Sequence, residues 1–177
     1  MTTGWAKGPT NVSIGEICKQ TGASKPSVYR EFGSDDGLKS SVFESYRSHI
    51  IRPLIDIIVK DRSAEETIDA MIGFMTQDRA ALGIPDGCLF VMMRAQIEHF
   101  GPLTCDKLHQ SRHELLAAYS AWIERAKLHG EIIDIPTDIA ALLLDMQHGG
   151  AMRMQREGVP REKIKIVLKV ALRALMS

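Results

Sequence analysis

Residues 12–38 read Val-Ser-Ile-Gly-Glu-Ile-Cys-Lys-Gln-Thr-Gly-Ala-Ser-Lys-Pro-Ser-Val-Tyr-Arg-Glu-Phe-Gly-Ser-Asp-Asp-Gly-Leu, which lays out two short helices and the start of a third. Ser13-Ile-Gly-Glu16 has the spacing of a capping box, in which the serine hydroxyl accepts the Glu16 N–H and the carboxylate reaches back. The two-turn helix it opens carries Ile14, Ile17 and Cys18 on one face and stops at Thr21-Gly22, where glycine takes the left-handed cap. Ser24 caps a second short helix with Pro26 in its first turn, where a missing N–H costs nothing. Val28 and Phe32 point inward, and Gly33-Ser34-Asp35-Asp36 starts a longer helix through Leu38, Val42 and Tyr46. Two short helices joined by a three-residue turn containing glycine are the helix-turn-helix geometry. Its second helix offers an N-terminal half to the major groove.

From about residue 36 onward the chain reads as a helix bundle. Ser63-Ala-Glu-Glu66 is a second capping box, opening a helix with Ile68, Met71, Ile72 and Met75 at 3–4 spacing that stops near Gly83-Ile-Pro85. Gly87 and Gly101-Pro102 bracket a helix through Phe90, Val91, Arg94 and Ile97. A long helix runs from Pro102 to Gly130 with Leu108, Leu115, Leu116, Tyr119, Trp122 and Ile123 on its apolar side. Pro136 and Gly158 bound another. Pro160 opens the last, where Ile164, Val167, Leu168, Ala171, Leu172 and Leu175 form a full amphipathic stripe. The expected fold class is all-α.

The 177 residues carry 22 Lys+Arg against 22 Asp+Glu, and 45% hydrophobic with 25% charged residues are globular values. Neutrality excludes a polybasic protein whose whole surface grips nucleic acid, so DNA binding requires a local patch. Residues 1–62 hold nine basic and seven acidic groups, while residues 63–177 hold thirteen and fifteen. A mildly basic reading head thus precedes a mildly acidic body. Cys18, Cys88 and Cys105 are odd in number and widely spaced, which fits neither a disulfide framework nor a zinc finger. The opening MTTGWAKGPT has no apolar run of the kind a signal peptide needs, and the apolar run at 139–146 is broken by Asp145 and too short to span a bilayer. No membrane association and a cytoplasmic location are the expectation.

The run from Val12 to Leu38 resembles the TetR family of transcriptional repressors. In that family a Ser/Thr-capped helix leads through Gly-x-Ser (here Gly22-Ala23-Ser24) to a recognition helix ending Tyr-x-x-Phe (Tyr29 to Phe32), followed by a Ser-Lys-Glu-x-Leu segment (here Ser34 to Leu38). The resemblance is specific over 8–46, and Gly87-Cys88-Leu89 and an all-helical body of the right length agree with it. It implies a helix-turn-helix DNA-binding domain at 1–46, incomplete at its N-terminus, and a ligand-binding and dimerisation domain at 47–177. It further implies a homodimer on a pseudo-palindromic operator in double-stranded DNA, acting as a repressor released by a small-molecule effector, with no cofactor.

The chemistry of the second short helix agrees. Lys25, Ser27, Tyr29 and Arg30 lie on its outward arc. Lys and Arg donate to guanine O6/N7 or to phosphate, and the Tyr and Ser hydroxyls donate to phosphate oxygens. Ser13 sits at a helix N-terminus, where N–H groups and the dipole favour a phosphate. Ser24, Pro26 and Lys39 complete the expected DNA-contacting set. There are three departures from the family pattern. Only seven residues precede Gly8, with Trp5 the one match to the family's first helix, Asp35 stands where a phosphate-binding Lys is usual, and Glu31 replaces a neutral or basic residue. Each lost phosphate contact flattens the log–log salt dependence by about 0.9, so modest, salt-sensitive affinity is expected.

In the body, Met71, Phe74, Met75, Phe90, Met92, Met93, Trp122 and Met146 give a soft apolar interior suited to apolar ligands, although the same residues also make an ordinary core. Met71, Phe74, Met75, Met93, Ile97, Trp122 and Met146 are the candidate ligand pocket, with Arg94, Gln96, His99, His113 and Gln147 as polar neighbours. The last two helices are the dimer candidates, through Leu142, Leu143, Met146, Gly149, Gly150, Val167, Leu168, Ala171, Leu172 and Leu175. Gly149-Gly150 within a helix signals close backbone approach, a kink or an early helix end. Asp106, His109 and His113 have metal-ligand spacing but read more simply as a surface pair and its neighbour, and no metal site is expected. No phosphate loop or nucleophile motif appears, which points away from an enzyme. Two other readings compete: a ligand-binding or interaction dimer that has lost operator binding, and a helical metal or redox protein.

Overall fold

The structure, a computed structural model, describes residues 13–79, 81, 82 and 84–176. Trp5, Gly8, Gly83 and the Glu16 side chain of the first capping box lie outside the described residues. The helices are α1 (Ile14–Thr21), α2 (Lys25–Phe32), α3 (Asp35–Tyr46), α4 (Arg52–Val59), α5 (Ala64–Met75), α6 (Leu89–Arg94), α7 (Pro102–Leu128), α8 (Thr137–Arg156) and α9 (Arg161–Arg173). The protein is all-α.

The turn chemistry works as the sequence reads. Gly22 takes φ 72° and its N–H donates to the Cys18 carbonyl, ending α1 where a side chain would be strained. Ser24 Oγ accepts from the Ser27 N–H at α2, and Ser34 Oγ from the Gly37 N–H at α3. Both halves of the Ser63–Glu66 box are formed at α5. Glu131, three residues past the end of α7, adds a carboxylate that accepts the Ala64 N–H at 3.1 Å.

Two differences from the sequence reading have local causes. The segment bracketed by Gly87 and Gly101 is not one helix: α6 ends at Arg94, and a separate 3-10 turn, Ile97–His99, follows. Between α3 and α4 the backbone stays helical but widens into a π turn, Arg47–Ile51. Pro53 stands two residues past its end; proline has no N–H to continue the ladder and its ring would meet the carbonyl four residues back.

Two cores result. Ile14, Val28 and Leu38 form the small core of the helix-turn-helix head, flanked by Ile17, Cys18, Ala23 and Phe32. The large core of the body begins at Phe43 and Tyr46 and runs through to Leu175. Val42 packs against both, so the two cores meet within α3 rather than at a linker. The long α7 packs on α3, α4 and α8, and α9 closes over α5 and α8.

Candidate nucleic-acid interface

The phase of α2 follows from one residue. Val28 is buried in the head core, which turns Lys25, Ser27, Tyr29 and Arg30 outward together. Tyr29 is 49% exposed, a large aromatic that a folded core would ordinarily claim. Ser24 and Pro26 are exposed at the N-terminal end of the same helix, and Ser13 lies at the start of α1. Lys39 is not part of this face. It is half-buried with its ammonium 5.7 Å from the centre of the Phe100 ring, a cation–π contact that ties α3 to the body. The sequence could not place it, because Phe100 is far away in the chain.

Asp35 and Asp36 are explained by long-range contacts. Asp35 Oδ1 accepts the Ile14 N–H at 2.7 Å, so the carboxylate caps α1 across the head. Asp36 does the same for α7. Its Oδ2 accepts the Leu103 N–H at 2.9 Å, and its Oδ1 accepts the Thr104 N–H at 3.3 Å and the Thr104 hydroxyl at 2.6 Å. A Cβ on Gly101 would sit 2.5 Å from the Asp36 carboxylate, so glycine there admits the cap. Glu31 remains exposed on α2, one carboxylate on an otherwise basic face.

Ion pairs fix α3 on α7 further along. Arg47 bridges Glu44 at 2.9 Å and Glu114 at 2.6 Å, and Lys107 reaches Glu44 at 2.7 Å. The Lys107 hydrogen bond, joined by that of Arg47, outweighs burial and holds the Glu44 carboxyl below its ordinary value. The head is thus carried on a helix clamped to the body at Asp36 and again at Glu44.

Inside the body, Met71, Met75, Met93 and Trp122 are buried in one core, with Phe74 and Ile97 packed against it. Met146 is not there: it is 69% exposed. The inner face of α8 is Ala141, Leu144, Asp145, His148, Met152 and Gln155, which leaves Ile139, Leu142 and Met146 on the opposite side. Gly149 and Gly150 continue this outer stripe with open space where a Cβ would stand, and α8 runs through both to Arg156, so the helix does not end early. Leu143 is half-buried.

On α9 most of the stripe expected to meet a second copy lies in the chain's own core. Leu168 and Leu172 are buried in the chain's own core, and Leu175 is buried beside the backbone bond from the Ile133 N–H to its carbonyl. Ala171 is half-buried. The apolar side chains left over are Ile166, Val167 and Val170, the last 71% exposed. Only Val167 was anticipated; the strong inward stripe masked the shorter outward one.

The body also buries polar groups. Arg94 holds Asp145 through two bonds of 2.9 Å and lies 5.2 Å from the centre of the Phe90 ring, with Arg112 3.6 Å from the same carboxylate. Burial alone would raise the Asp145 carboxyl, but Arg94 and Arg112 overcome this and keep it below its usual value. His148, one turn on, is pushed down to about 4 by burial, with Arg79 and Arg94 adding to the effect against Asp145. The Tyr46 hydroxyl donates to Cys88 Sγ at 3.0 Å, and burial pushes the Cys88 thiol up, which leaves it a poor nucleophile. Of the expected polar neighbours, Arg94, Gln96 and Gln147 are half-buried, while His99 and His113 are exposed. Asp106 and His109 are exposed as well, and no cluster of three or more His, Cys, Asp or Glu suited to a metal occurs among the described residues. No helix among them is long and apolar enough to cross a membrane.

No family model matches the chain. It is 27% identical over 158 residues to the HTH-type transcriptional repressor BdcR of Escherichia coli (strain K12), a match covering 89% of this chain and 76% of that protein. A TetR-family transcriptional regulator from Agrobacterium tumefaciens superposes with a TM-score of 0.81 at 17% identity, over 97% of this chain and 90% of that one. The TetR-family regulator CifR, a cysteine mutant complexed with 26-bp double-strand operator DNA, superposes with a TM-score of 0.78 at 22% identity over the same shares. From its helix-turn-helix through its helical body, the chain has the fold of the TetR-family transcriptional regulators.

Proposed function

We propose that the protein is a TetR-type transcriptional repressor that binds operator DNA as a homodimer and releases it when a small molecule enters the body. The observation that carries this is the burial of Val28, which presents Lys25, Ser27, Tyr29 and Arg30 as one face at the N-terminal half of a recognition helix. Asp35 is committed to the α1 N-terminus, so its replacement of a basic residue does not speak against DNA binding. The outer stripe of α8 (Ile139, Leu142, Met146, Gly149, Gly150) and that of α9 (Ile166, Val167, Val170) supply the apolar face for a second copy. Two such pairs of helices make a four-helix interface and set the heads about one DNA turn, roughly 34 Å, or a multiple apart. The regulator would act in the cytoplasm, where the DNA is.

Fluorescence anisotropy with the intergenic DNA beside the protein's own gene, at two salt concentrations, tests this. Sequence-dependent binding whose salt slope falls by about one in Lys25→Ala is expected. Sequence-independent binding, or none, refutes the repressor reading.

A further inference from the structure

We infer that Arg79 is the receptor for the carboxylate of an anionic, otherwise apolar effector inside the body. The inference rests on the reading of the body as a ligand-sensing domain and names the ligand's charge class.

Arg79 is 2% exposed. A guanidinium stays charged at any working pH, so its burial demands a compensating anion or a full set of acceptors. Arg79 has neither. Among the described residues no carboxylate lies within ion-pair distance of it, and its Nε and Nη1 have no hydrogen-bond partner. Its remaining donors meet only uncharged acceptors, the Tyr46 hydroxyl and, from Nη2 at 3.5 Å, the Met152 thioether. The arginine is not simply frayed into this position: the Leu82 and Ile84 N–H groups both donate to its carbonyl, at 3.0 and 2.9 Å, and fix the turn that bears it.

The surroundings specify the ligand. Tyr46, Cys88 and His148 lie close enough to Arg79 to feel its charge. The buried carboxylate of the interior, Asp145, is already held by two bonds from Arg94 and approached by Arg112. One positive charge with no anion against it therefore lies among a phenol, a thiol, a thioether and an imidazole. A monoanion balances it, whereas a dianion would bring in a new unpaired charge. A carboxylate would accept from the two unpartnered nitrogens, and an apolar tail would enter the body core to which Met71, Met75 and Met93 belong. No local pattern marks Arg79, which stands in the connection after α5 with no motif around it.

Differential scanning fluorimetry and calorimetry on the full chain test the inference without DNA. The probes are acetate against acetamide, which need no fitted cavity, and octanoate against octanamide. The carboxylates are expected to raise the melting temperature and octanoate to bind at least tenfold more tightly than octanamide. Arg79→Met, which keeps the volume and removes the charge, should abolish that preference and should melt no lower than the wild type, since it removes an unpaired buried cation. Equal responses to carboxylate and amide in the wild type, or an unchanged preference in Arg79→Met, overturn the inference. So does an Arg79→Met variant that melts well below the wild type, because Arg79 would then be structural. Operator binding is read separately: a chain that prefers carboxylates but ignores operator DNA fails as a repressor while this site stands, and the reverse result sinks the site alone.

Discussion

Replacing Asp36 by alanine should loosen the head from the body, and its size follows from the contacts. The carboxylate accepts two backbone N–H groups at the start of α7 and the hydroxyl of the fully buried Thr104. Loss of a helix N-cap costs about 1 kcal/mol. A hydrogen bond from a buried hydroxyl to a charged acceptor contributes about 1.5–3 kcal/mol. Part of that is retained because the Thr104 hydroxyl also lies 3.2 Å from the Asp36 carbonyl. The expected loss is about 2–3 kcal/mol, and for a domain of this size a fall in melting temperature of about 5–10 °C by circular dichroism. Gly101→Ala supplies the control. Its backbone is extended at φ −79°, so alanine is not strained, but its Cβ would meet the Asp36 carboxylate at 2.5 Å. Gly101→Ala should therefore be costly in the wild type and much cheaper in Asp36→Ala. A loss under about 0.5 kcal/mol for Asp36→Ala, or strict additivity in the cycle, would refute the capping argument.

Two other measurements probe the body. His148 is neutral in the folded chain with its pKa near 4, against 6.5 when unfolded, so below neutrality the unfolded state binds the extra proton. Stability should fall by about 2 kcal/mol between pH 7 and pH 5 in urea titrations. The groups facing the ring are Asp145, Arg79 and Arg94, and His148→Gln should remove this part of the slope; an unchanged slope contradicts the assignment. On the surface, Met146→Glu should shift the sedimentation coefficient from dimer to monomer with helicity intact, while Leu168→Ala should cost about 2–5 kcal/mol of folding stability. A Met146→Glu protein that stays dimeric, or a monomeric wild type, would argue against the outer stripe as the interface.

The parts of the molecule legible in the sequence are those set by neighbours in the chain. Serine caps at Ser24, Ser34 and Ser63, the glycine turn at Gly22, and the phase of α2 about Val28 all rest on interactions within about four residues. What was missed spans the chain. Asp36 meets α7 at Leu103 and Thr104, Lys39 meets Phe100, and Arg79 meets Met152, and none of these separations leaves a local pattern. Met146 and Leu168 show a second limit: an apolar residue at helical spacing is known to face something, but only packing decides whether that is the chain's own core or its surface. The π turn before Pro53 belongs to the same class, since proline signals a disturbance without stating its form.

The division of the interior into two cores joined through Val42 bears on how the head behaves in time. Among the described residues the head fully buries only Ile14, Val28 and Leu38 in its own core, whereas the body encloses residues from nearly every other helix. Local opening free energy scales with buried apolar contact, so amide hydrogens of α1 and α2 should exchange with solvent through fluctuations that leave α5 to α9 closed. Bound DNA, which holds only the closed head, would slow that exchange in proportion to its affinity. If the chain binds an operator as proposed, deuterium uptake in residues 14–32 should report its occupancy, while the body's amides should not respond.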